Sequence, residues 1–316
     1  MTDERPPTII VRDGEHGLPF SKGLTANTII ASGLSPARAY HVAQDAEERL
    51  RAEGRTTIEA AELRGIVADV LRAVAGERYA DAYEKWQAIG TLDVPLVVLI
   101  GGGTGVGKST IATNLAARLS ILRVSSTDAI REVMRGTIAR AFMPTLYTSS
   151  FNADQVVASR VGRDEDAVIV GFREQVQAVA VGVNALVHRA VTESTDVIIE
   201  GAHIVPGFLD TAHFGDNAVI VPIIIEVEDE ELHRSHFFAR THDTRQRPVE
   251  RYLAHFDNIR GVQRYIKSHA LRHGVPIIPN FDLDICLREV MDLIVNRATD
   301  AASRRAPLRA ISGGNA

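Results

Sequence analysis

The stretch VPLVVLIGGGTGVGKST, residues 94–110, decides the fold of this 316-residue chain. It begins with an uninterrupted apolar run that ends in glycines, which is typical of a buried strand in a parallel sheet. Residues 102–109 then match the pattern G-x-x-x-x-G-K-[ST], and the following KSTIATNLAARL has the composition of a helix. A strand, a glycine-rich turn and a helix in this order predict a loop that binds phosphate through its backbone N–H groups and the helix N-terminus.

Each part of this loop has a chemical task in binding a nucleotide. The glycines allow the backbone to approach phosphate oxygens, Lys108 bridges the β- and γ-phosphates, and Ser109 is a ligand for Mg²⁺. We therefore predict ATP and Mg²⁺ as cofactors. The residues predicted to bind the nucleotide are Gly103, Thr104, Gly105, Val106, Gly107, Lys108, Ser109 and Thr110.

The remaining chain supports an α/β fold with a second, smaller domain before it. Apolar runs at 122–124, 197–199, 219–227 and 275–278 predict further strands, and helical patterns separate most of them. This alternation indicates a parallel sheet flanked by helices. Upstream, we predict a hairpin at 8–22 and helices at 35–53, 56–75 and 77–86, the second opened by a capping box of Thr56 and Glu59. The predicted domains are 1–90 and 91–301, followed by a disordered tail at 302–316.

Composition excludes several classes of protein. Apolar residues make up 45% and charged residues 24% of the chain, which is ordinary for a soluble globular protein. A net charge of −5 and 5% aromatic residues argue against nucleic acid as a partner. The single cysteine, Cys286, excludes an internal disulfide framework. The N-terminal MTDERPPTII lacks the apolar core of a signal peptide, and no apolar run approaches the roughly 18 residues of a membrane span. We therefore expect a cytoplasmic protein without membrane contact.

Two acidic residues stand at predicted strand ends, where ligands bind in parallel sheets. Asp128 follows the second strand and is a candidate to accept the proton of an attacking hydroxyl or to hold Mg²⁺ through water. Its alternative role is to cap the helix that follows. Glu200 ends the run VIIE and resembles the acid that holds Mg²⁺, the alternative being a surface carboxylate. The predicted metal site is Ser109, Asp128 and Glu200, and the identity of the catalytic base remains open between the two acids.

A basic segment follows the fourth predicted strand, at 219–227. Residues 234–272 contain nine Lys or Arg residues against three acids, in a protein whose net charge is −5. The pattern predicts a helix–loop–helix lid whose arginines neutralise charge on the transferred phosphoryl group, with a solvated charged surface as the alternative. The residues assigned to catalysis are Lys108, Asp128, Glu200, Arg240 and Arg245. Those assigned to the acceptor are Arg131, Ser149, Ser150, Gln175, His203, Arg251 and Arg260.

Five motifs together resemble the 2-phosphoglycerate kinases. They are GGTGVGKST (102–110), SSTDAIREVMR (125–135), GFREQVQAV (171–179), IIEGAHIVPG (198–207) and RYLAHFDNIRGVQRYI (251–266). The resemblance implies a P-loop kinase that transfers the γ-phosphoryl group of ATP to the 3-hydroxyl of 2-phosphoglycerate, giving 2,3-bisphosphoglycerate. Residues 8–90, with VRDG and PFSKG, resemble a degenerate ATP-cone module. The resemblance is compatible with three roles for this module: a regulatory nucleotide site, a structural element or a homodimer contact.

Three other functions stay open at this point. The acceptor is alternatively another phosphorylated polyol, such as an inositol phosphate. The chain is alternatively a nucleotide-sensing regulator with little turnover, for which the N-terminal module is the motivation. A kinase or NTPase directed at nucleic acid would use the basic segment, but the overall charge and the few aromatic residues argue against it.

Overall fold

A computed structural model describes residues 8–89, 94–162, 164–243 and 249–312, without the side chains of 88, 89, 212, 213, 216, 239–243, 302 and 305–312. The described chain divides into two compact units. The first contains residues 8–89 with Arg118–Ser120 and 291–312, and the second contains 94–117 and 121–290. The domain boundaries at 90 and 301 stay predictions, as does the ATP-cone assignment.

The first unit is a small three-stranded sheet with helices. Its elements are β1 (Ile10–Asp13), β2 (His16–Pro19), α1 (Lys22–Ile30), α2 (Pro36–Ala52), β3 (Thr57–Glu59), α3 (Ala60–Val74) and α4 (Glu77–Ile89). Strands β1 and β2 pair antiparallel, with Gly14 in the left-handed region at φ 61° in the turn, so the predicted hairpin is present. Helix α2 begins at Pro36, as predicted, because proline suits the first helical position.

The predicted capping box is wrong. Residues 57–59 form β3, which pairs parallel with β1, and α3 begins only at Ala60. Glu59 precedes the helix but makes no side-chain capping hydrogen bond. The reason lies in Ile58, which is buried in the core of this unit when the segment is extended beside β1. Tertiary burial of one isoleucine therefore outweighs the local helix signal.

The second unit contains a five-stranded parallel sheet covered by helices. Its elements are β4 (Leu96–Gly101), α5 (Lys108–Leu119), β5 (Val124–Ser126), α6 (Thr127–Thr137), α7 (Asp154–Val157), α8 (Ala167–Thr192), β6 (Val197–Glu200), β7 (Val219–Glu226), α9 (Glu230–Asp243), α10 (Val249–Leu253), α11 (Phe256–Arg272), β8 (Ile277–Pro279) and α12 (Leu283–Ser312, which extends into the first unit). Short 3₁₀ turns lie at Pro144–Tyr147, Ala158–Arg160 and Ala212–Asn217. The strand order is β5-β6-β4-β7-β8. This confirms the predicted α/β class.

The central strand β4 is fully buried, as its apolar run predicts. It lies between β6 and β7, and Ile100 is paired in register with Glu200. Helix α8 packs Val179 and Val183 against the sheet, which buries one side of the strands. The carboxyl ends of β4, β5 and β6 therefore meet at one edge, where the glycine-rich loop, Glu200 and the start of α6 come together.

Three predicted boundaries differ in the structure. Strand β5 begins at Val124, and Leu122 is 96% exposed, so the run at 122–124 belongs only partly to the sheet. The second helix of the predicted helix–loop–helix is divided into α10 and α11 near His255, and Tyr252 and Phe256 on either side of the break belong to one apolar cluster. Helix α12 extends to Ser312, past the predicted domain end at residue 301, and the disordered tail at 302–316 stays a prediction.

Candidate active site

The phosphate-binding loop, residues 102–109, joins β4 to α5. Gly102, Gly105 and Gly107 have φ values of 139°, 89° and 90°, which favour glycine. A Cβ atom on Gly102 would lie 2.3 Å from the carbonyl oxygen of Ile225. The glycines therefore provide both the backbone turn and the space. Lys108 is largely buried, and its ammonium donates to the carbonyl oxygen of Gly103 at 2.6 Å.

Side chains from two later segments, α9 and the residue after β8, hold carbonyls of this loop. Asn280 Nδ2 donates to the Val106 carbonyl at 2.9 Å. His233 Nε2 lies 2.8 Å from the Thr104 carbonyl, and His236 Nδ1 lies 3.0 Å from that of Gly105. Because a carbonyl can only accept, each of these ring nitrogens must carry the proton. Burial lowers the pKa of His233 to about 4, so its ring is a neutral donor near pH 7.

Ser109 and Glu200 form the candidate metal position. The Ser109 hydroxyl donates to Glu200 Oε1 at 2.9 Å, and the Glu200 side chain is mostly buried. A hydroxyl and a carboxylate are the oxygen ligands that Mg²⁺ takes, usually together with phosphate oxygens and water. The described residues contain no group of three or more His, Cys, Asp or Glu side chains placed to hold a metal. This donor set therefore fits a Mg²⁺ ion bound together with nucleotide phosphates.

A cavity of about 920 Å³ opens beside this position. It is lined from the phosphate-binding loop by Lys108 and Ser109, from the sheet edge by Glu200, and from α6 by Asp128. The cationic side chains that line it besides Lys108 are Arg131, Arg135, Arg140 and Arg251, against the acids Asp128, Glu132 and Glu200. Cationic residues exceed acidic ones, so the cavity suits an anionic ligand beside the nucleotide phosphates.

Asp128 lies in the first turn of α6. Its alternative role as the helix cap is taken by Ser126, whose hydroxyl accepts from the Ala129 N–H at 3.1 Å. The Asp128 side chain is 66% exposed and pairs with Arg131 at 3.3 Å. Arg131 is itself held by the Thr148 carbonyl. The structure thus leaves the Asp128 carboxylate accessible from the cavity and held by one arginine.

The segment after α6 contributes the polar wall opposite. Arg251 Nη2, from α10, donates to Ser149 Oγ at 2.7 Å, and both residues line the cavity. Ser150 and Asn152 line it as well, and Asn152 Oδ1 is buried with no hydrogen-bond partner among the described residues. The predicted acceptor residues Arg131, Ser149, Ser150 and Arg251 are therefore brought together.

Gln175 and His203 do not reach the cavity but form a buried chain beneath it. Thr127 Oγ1 lies 2.8 Å from His203 Nδ1, and His203 Nε2 lies 2.9 Å from Gln175 Oε1. The Gln175 amide donates to the carbonyls of Thr145 and Thr148, which fixes its orientation and the histidine tautomer. His203 is 1% exposed, and burial lowers its pKa to about 4, with Asp128 opposing the shift. These side chains support the walls of the site rather than contact a ligand.

Arg260 also lies away from the cavity. Its guanidinium donates to the carbonyls of Val227 at 2.7 Å and Glu228 at 2.8 Å, and it lies near the His233 ring. It therefore stabilises the segment after β7 that supports the phosphate-binding loop. The Arg240 side chain and all of Arg245 lie outside the described residues, so their catalytic assignments stay predictions.

Arg135, Arg140 and Tyr147 line the cavity but were missed by sequence reasoning. A signal for the first was present, because Arg131 and Arg135 follow Asp128 by three and seven residues and so share its helix face. Arg140 follows α6 in irregular structure and Tyr147 ends the short 3₁₀ turn Pro144–Tyr147, and neither segment is long enough for periodicity to indicate the direction of a side chain.

Comparison with known proteins identifies the family. None of the protein-family models compared with the chain matches it. A 2-phosphoglycerate kinase of Methanopyrus kandleri is 39% identical over 92% of this chain and 88% of its own length. One of Methanothermobacter thermautotrophicus is 40% identical over 84% and 86%. Among solved structures, a gluconokinase from Sinorhizobium meliloti 1021 is 10% identical with a TM-score of 0.41, covering 66% of this chain and 97% of that one. On the full-length similarity to its curated relatives, the chain belongs to the 2-phosphoglycerate kinase family.

Proposed function

We propose that this protein transfers the γ-phosphoryl group of ATP to the free hydroxyl of 2-phosphoglycerate, giving 2,3-bisphosphoglycerate and ADP. The observation that carries the proposal is one cavity that contains both a phosphate-binding loop and an excess of arginines. The loop suits the donor triphosphate. The arginines suit a separate anionic acceptor, and the relatives' name supplies its identity.

On the donor side, the loop N–H groups and Lys108 bind the phosphates. Lys108 Nζ donates to the Gly103 carbonyl, which places the ammonium group at the loop where it would bind the β- and γ-phosphates of ATP. The Ser109 hydroxyl and the Glu200 carboxylate, which are hydrogen-bonded to each other, would hold a Mg²⁺ ion here. The ion would supply neutralisation of the negative charge on the phosphates.

On the acceptor side, Asp128 acts as the general base. The hydroxyl oxygen attacks the γ-phosphorus in line, the bond from phosphorus to the β,γ-bridging oxygen breaks, and ADP leaves with that electron pair. The hydroxyl proton passes to the Asp128 carboxylate and then to water. We assign this role to Asp128 rather than Glu200 because Glu200 already accepts from Ser109, whereas Asp128 is accessible from the cavity. Arg131 holds Asp128 in place.

The lid arginines complete the proposal from the sequence. Arg240 and Arg245 are proposed, from the basic segment of the sequence, to neutralise charge on the transferred group. Arginine forks are suited to the equatorial oxygens of a loose phosphoryl transition state. Replacement of Arg245 should therefore lower kcat, raise the acceptor KM, or both.

The proposal is tested by ADP release with a panel of acceptors. The panel contains 2-phosphoglycerate, 3-phosphoglycerate, glycerate, glycerol 2-phosphate and an inositol monophosphate. We expect the highest kcat/KM with 2-phosphoglycerate. In Asp128→Asn, turnover should fall by about 10²-fold or more while ATP affinity stays within about twofold. ADP release that no acceptor increases, with ATP bound tightly, would instead favour a nucleotide-sensing regulator.

A further inference from the structure

The rim of the acceptor cavity contains an aromatic ring between two arginines. The guanidinium carbon of Arg135 lies 5.0 Å from the centre of the Tyr147 ring, and that of Arg140 lies 5.9 Å from it. All three side chains line the cavity. The Tyr147 hydroxyl donates to the carbonyls of Arg135 at 2.9 Å and Ile138 at 2.7 Å, so the end of α6 holds the ring in place. The ring in turn positions both cations through cation–π contacts.

The charges of this cluster are only partly balanced by the protein. Arg135 pairs with Glu132 at 2.6 Å, and its Nε atom is buried with no hydrogen-bond partner among the described residues. Arg140 pairs with no carboxylate in the part of the chain that the structure describes. Two guanidinium groups close to one ring repel each other, and a dianion bound by both would relieve this repulsion. Their planar donors match the oxygens of a phosphate ester.

We propose that Arg135, Tyr147 and Arg140 form a subsite that binds the phosphate ester group of the acceptor, and that this subsite selects phosphorylated over unphosphorylated hydroxy acids. The inference rests on the proposed function, because it assigns the acceptor's own phosphate within that cavity. The carboxylate of the acceptor, its second anionic group, then binds to Arg251 and Ser149, where a single guanidinium group matches a single negative charge.

The position along α6 agrees with this assignment. Seven residues of helix separate Arg135 from Asp128, about 10 Å along the axis. Helical side chains lean toward the N-terminus, so the Arg135 guanidinium points back toward the base. An acceptor whose hydroxyl lies at Asp128 therefore places a phosphate on the adjacent carbon within reach of the cluster.

The test is calorimetric binding of three acceptors without ATP. 2-Phosphoglycerate contains both anionic groups, glycerol 2-phosphate lacks the carboxylate, and glycerate lacks the phosphate. Arg140→Gln should weaken the first two by about tenfold to hundredfold, as expected for one lost charge-assisted hydrogen bond, and leave glycerate unchanged. Tyr147→Leu should shift the same two ligands in the same direction. Arg189→Gln, an exposed arginine of α8 paired with Glu193, is the matched control and should change none.

Other outcomes overturn the subsite. Unchanged affinity for 2-phosphoglycerate in Arg140→Gln contradicts it, as does a loss confined to ligands with a carboxylate. Failure of wild type to bind either phosphate ester contradicts it too. The subsite and the proposed function can fail independently. If the ADP-release panel rejects 2-phosphoglycerate as the substrate, binding that requires the phosphate group and depends on Arg140 would still support the subsite.

Discussion

Ser109 Oγ donates a hydrogen bond to Glu200 Oε1 across 2.9 Å, which joins the first turn of α5 to the end of β6. Residue 200 is in register with Ile100 of β4, just before the phosphate-binding loop. The sheet therefore fixes the distance between the two oxygen donors, and a bound nucleotide adds phosphate oxygens to them. The Mg²⁺ dependence of the reaction should therefore change when either of these two oxygen donors is altered.

Glu200→Gln keeps the hydrogen-bond acceptor for Ser109 and removes the negative charge. We expect kcat to fall by about 10²- to 10³-fold and the Mg²⁺ concentration for half-maximal rate to rise, because the metal loses an anionic partner. Rates measured across a Mg²⁺ titration test this. Glu193→Gln, at the surface, is the control. An unaltered Mg²⁺ dependence in Glu200→Gln would exclude Glu200 from the metal site.

Lys108→Ala should reduce kcat by about 10³-fold or more. The residue is the proposed cationic contact to the β- and γ-phosphates, and each ~1.4 kcal/mol of lost transition-state stabilisation lowers the rate tenfold. Steady-state ADP release measures the effect. Lys22→Ala, a lysine of the first unit paired with Glu47, should leave the rate unchanged. Normal turnover in Lys108→Ala would refute the assignment of the loop.

Gly201→Ala should destabilise the fold and slow the reaction. Gly201 has φ 153°, and a Cβ there would lie 1.8 Å from Thr127 Oγ1, next to Asp128. We expect the free energy of unfolding to fall by about 2 kcal/mol or more. Gly136→Ala is the matched control, because a Cβ at that helical site meets no atom within 4 Å and should stabilise by about 0.5–1 kcal/mol. Denaturant unfolding compares them, and equal stability of both variants would contradict the packing.

His203 should make stability depend on pH. Its pKa is lowered from 6.5 to about 4 in the folded protein, mainly by burial, so the unfolded chain binds the proton first as pH falls. The stability that the protein gains from keeping His203 neutral is fully present above pH 6.5. It is lost progressively as the pH falls from about 6.5 to about 4. In His203→Gln, the slope of unfolding free energy against pH should decrease in this window by up to about 1.4 kcal/mol per pH unit. A slope identical to wild type would show that His203 is not buried and neutral.

The same histidine separates a positioning role from ligand contact. Because the chain from Thr127 through His203 to Gln175 lies beneath the cavity, His203→Ala should lower kcat more than it changes the acceptor KM. Steady-state kinetics with 2-phosphoglycerate as the acceptor measure both. His203→Gln, which keeps a donor toward Gln175, should recover part of kcat. A rise in acceptor KM alone would restore the original assignment of His203 to the substrate.

The nucleotide side of the site has a local sequence signal, and the roles of its residues stay predictions. Spacing within residues 102–109 specifies the loop, and a run of apolar residues ending in an acid specifies Glu200. The similarity to curated relatives confirms the family that the motifs indicated. The parallel order of strands confirms the fold class.

The acceptor side was less predictable because it depends on packing between distant elements. Gln175 lies beside Val176 and Phe172 on the buried side of α8, a pattern that was visible in the sequence and pointed away from a ligand. Arg260 and His233 meet only because α9 and α11 pack together. The strand β3 was missed for a related reason, since its partner β1 lies more than forty residues earlier.

Phosphorus NMR of one reaction mixture tests the central claim most directly. Wild-type protein with ATP, Mg²⁺ and 2-phosphoglycerate should yield one 2,3-bisphosphoglycerate for each ADP, with no matching release of inorganic phosphate, and Asp128→Asn should slow the growth of both signals by about 10²-fold or more. Inorganic phosphate formed at the same rate with or without acceptor, or no consumption of ATP, would contradict direct transfer between two anions held in one cavity.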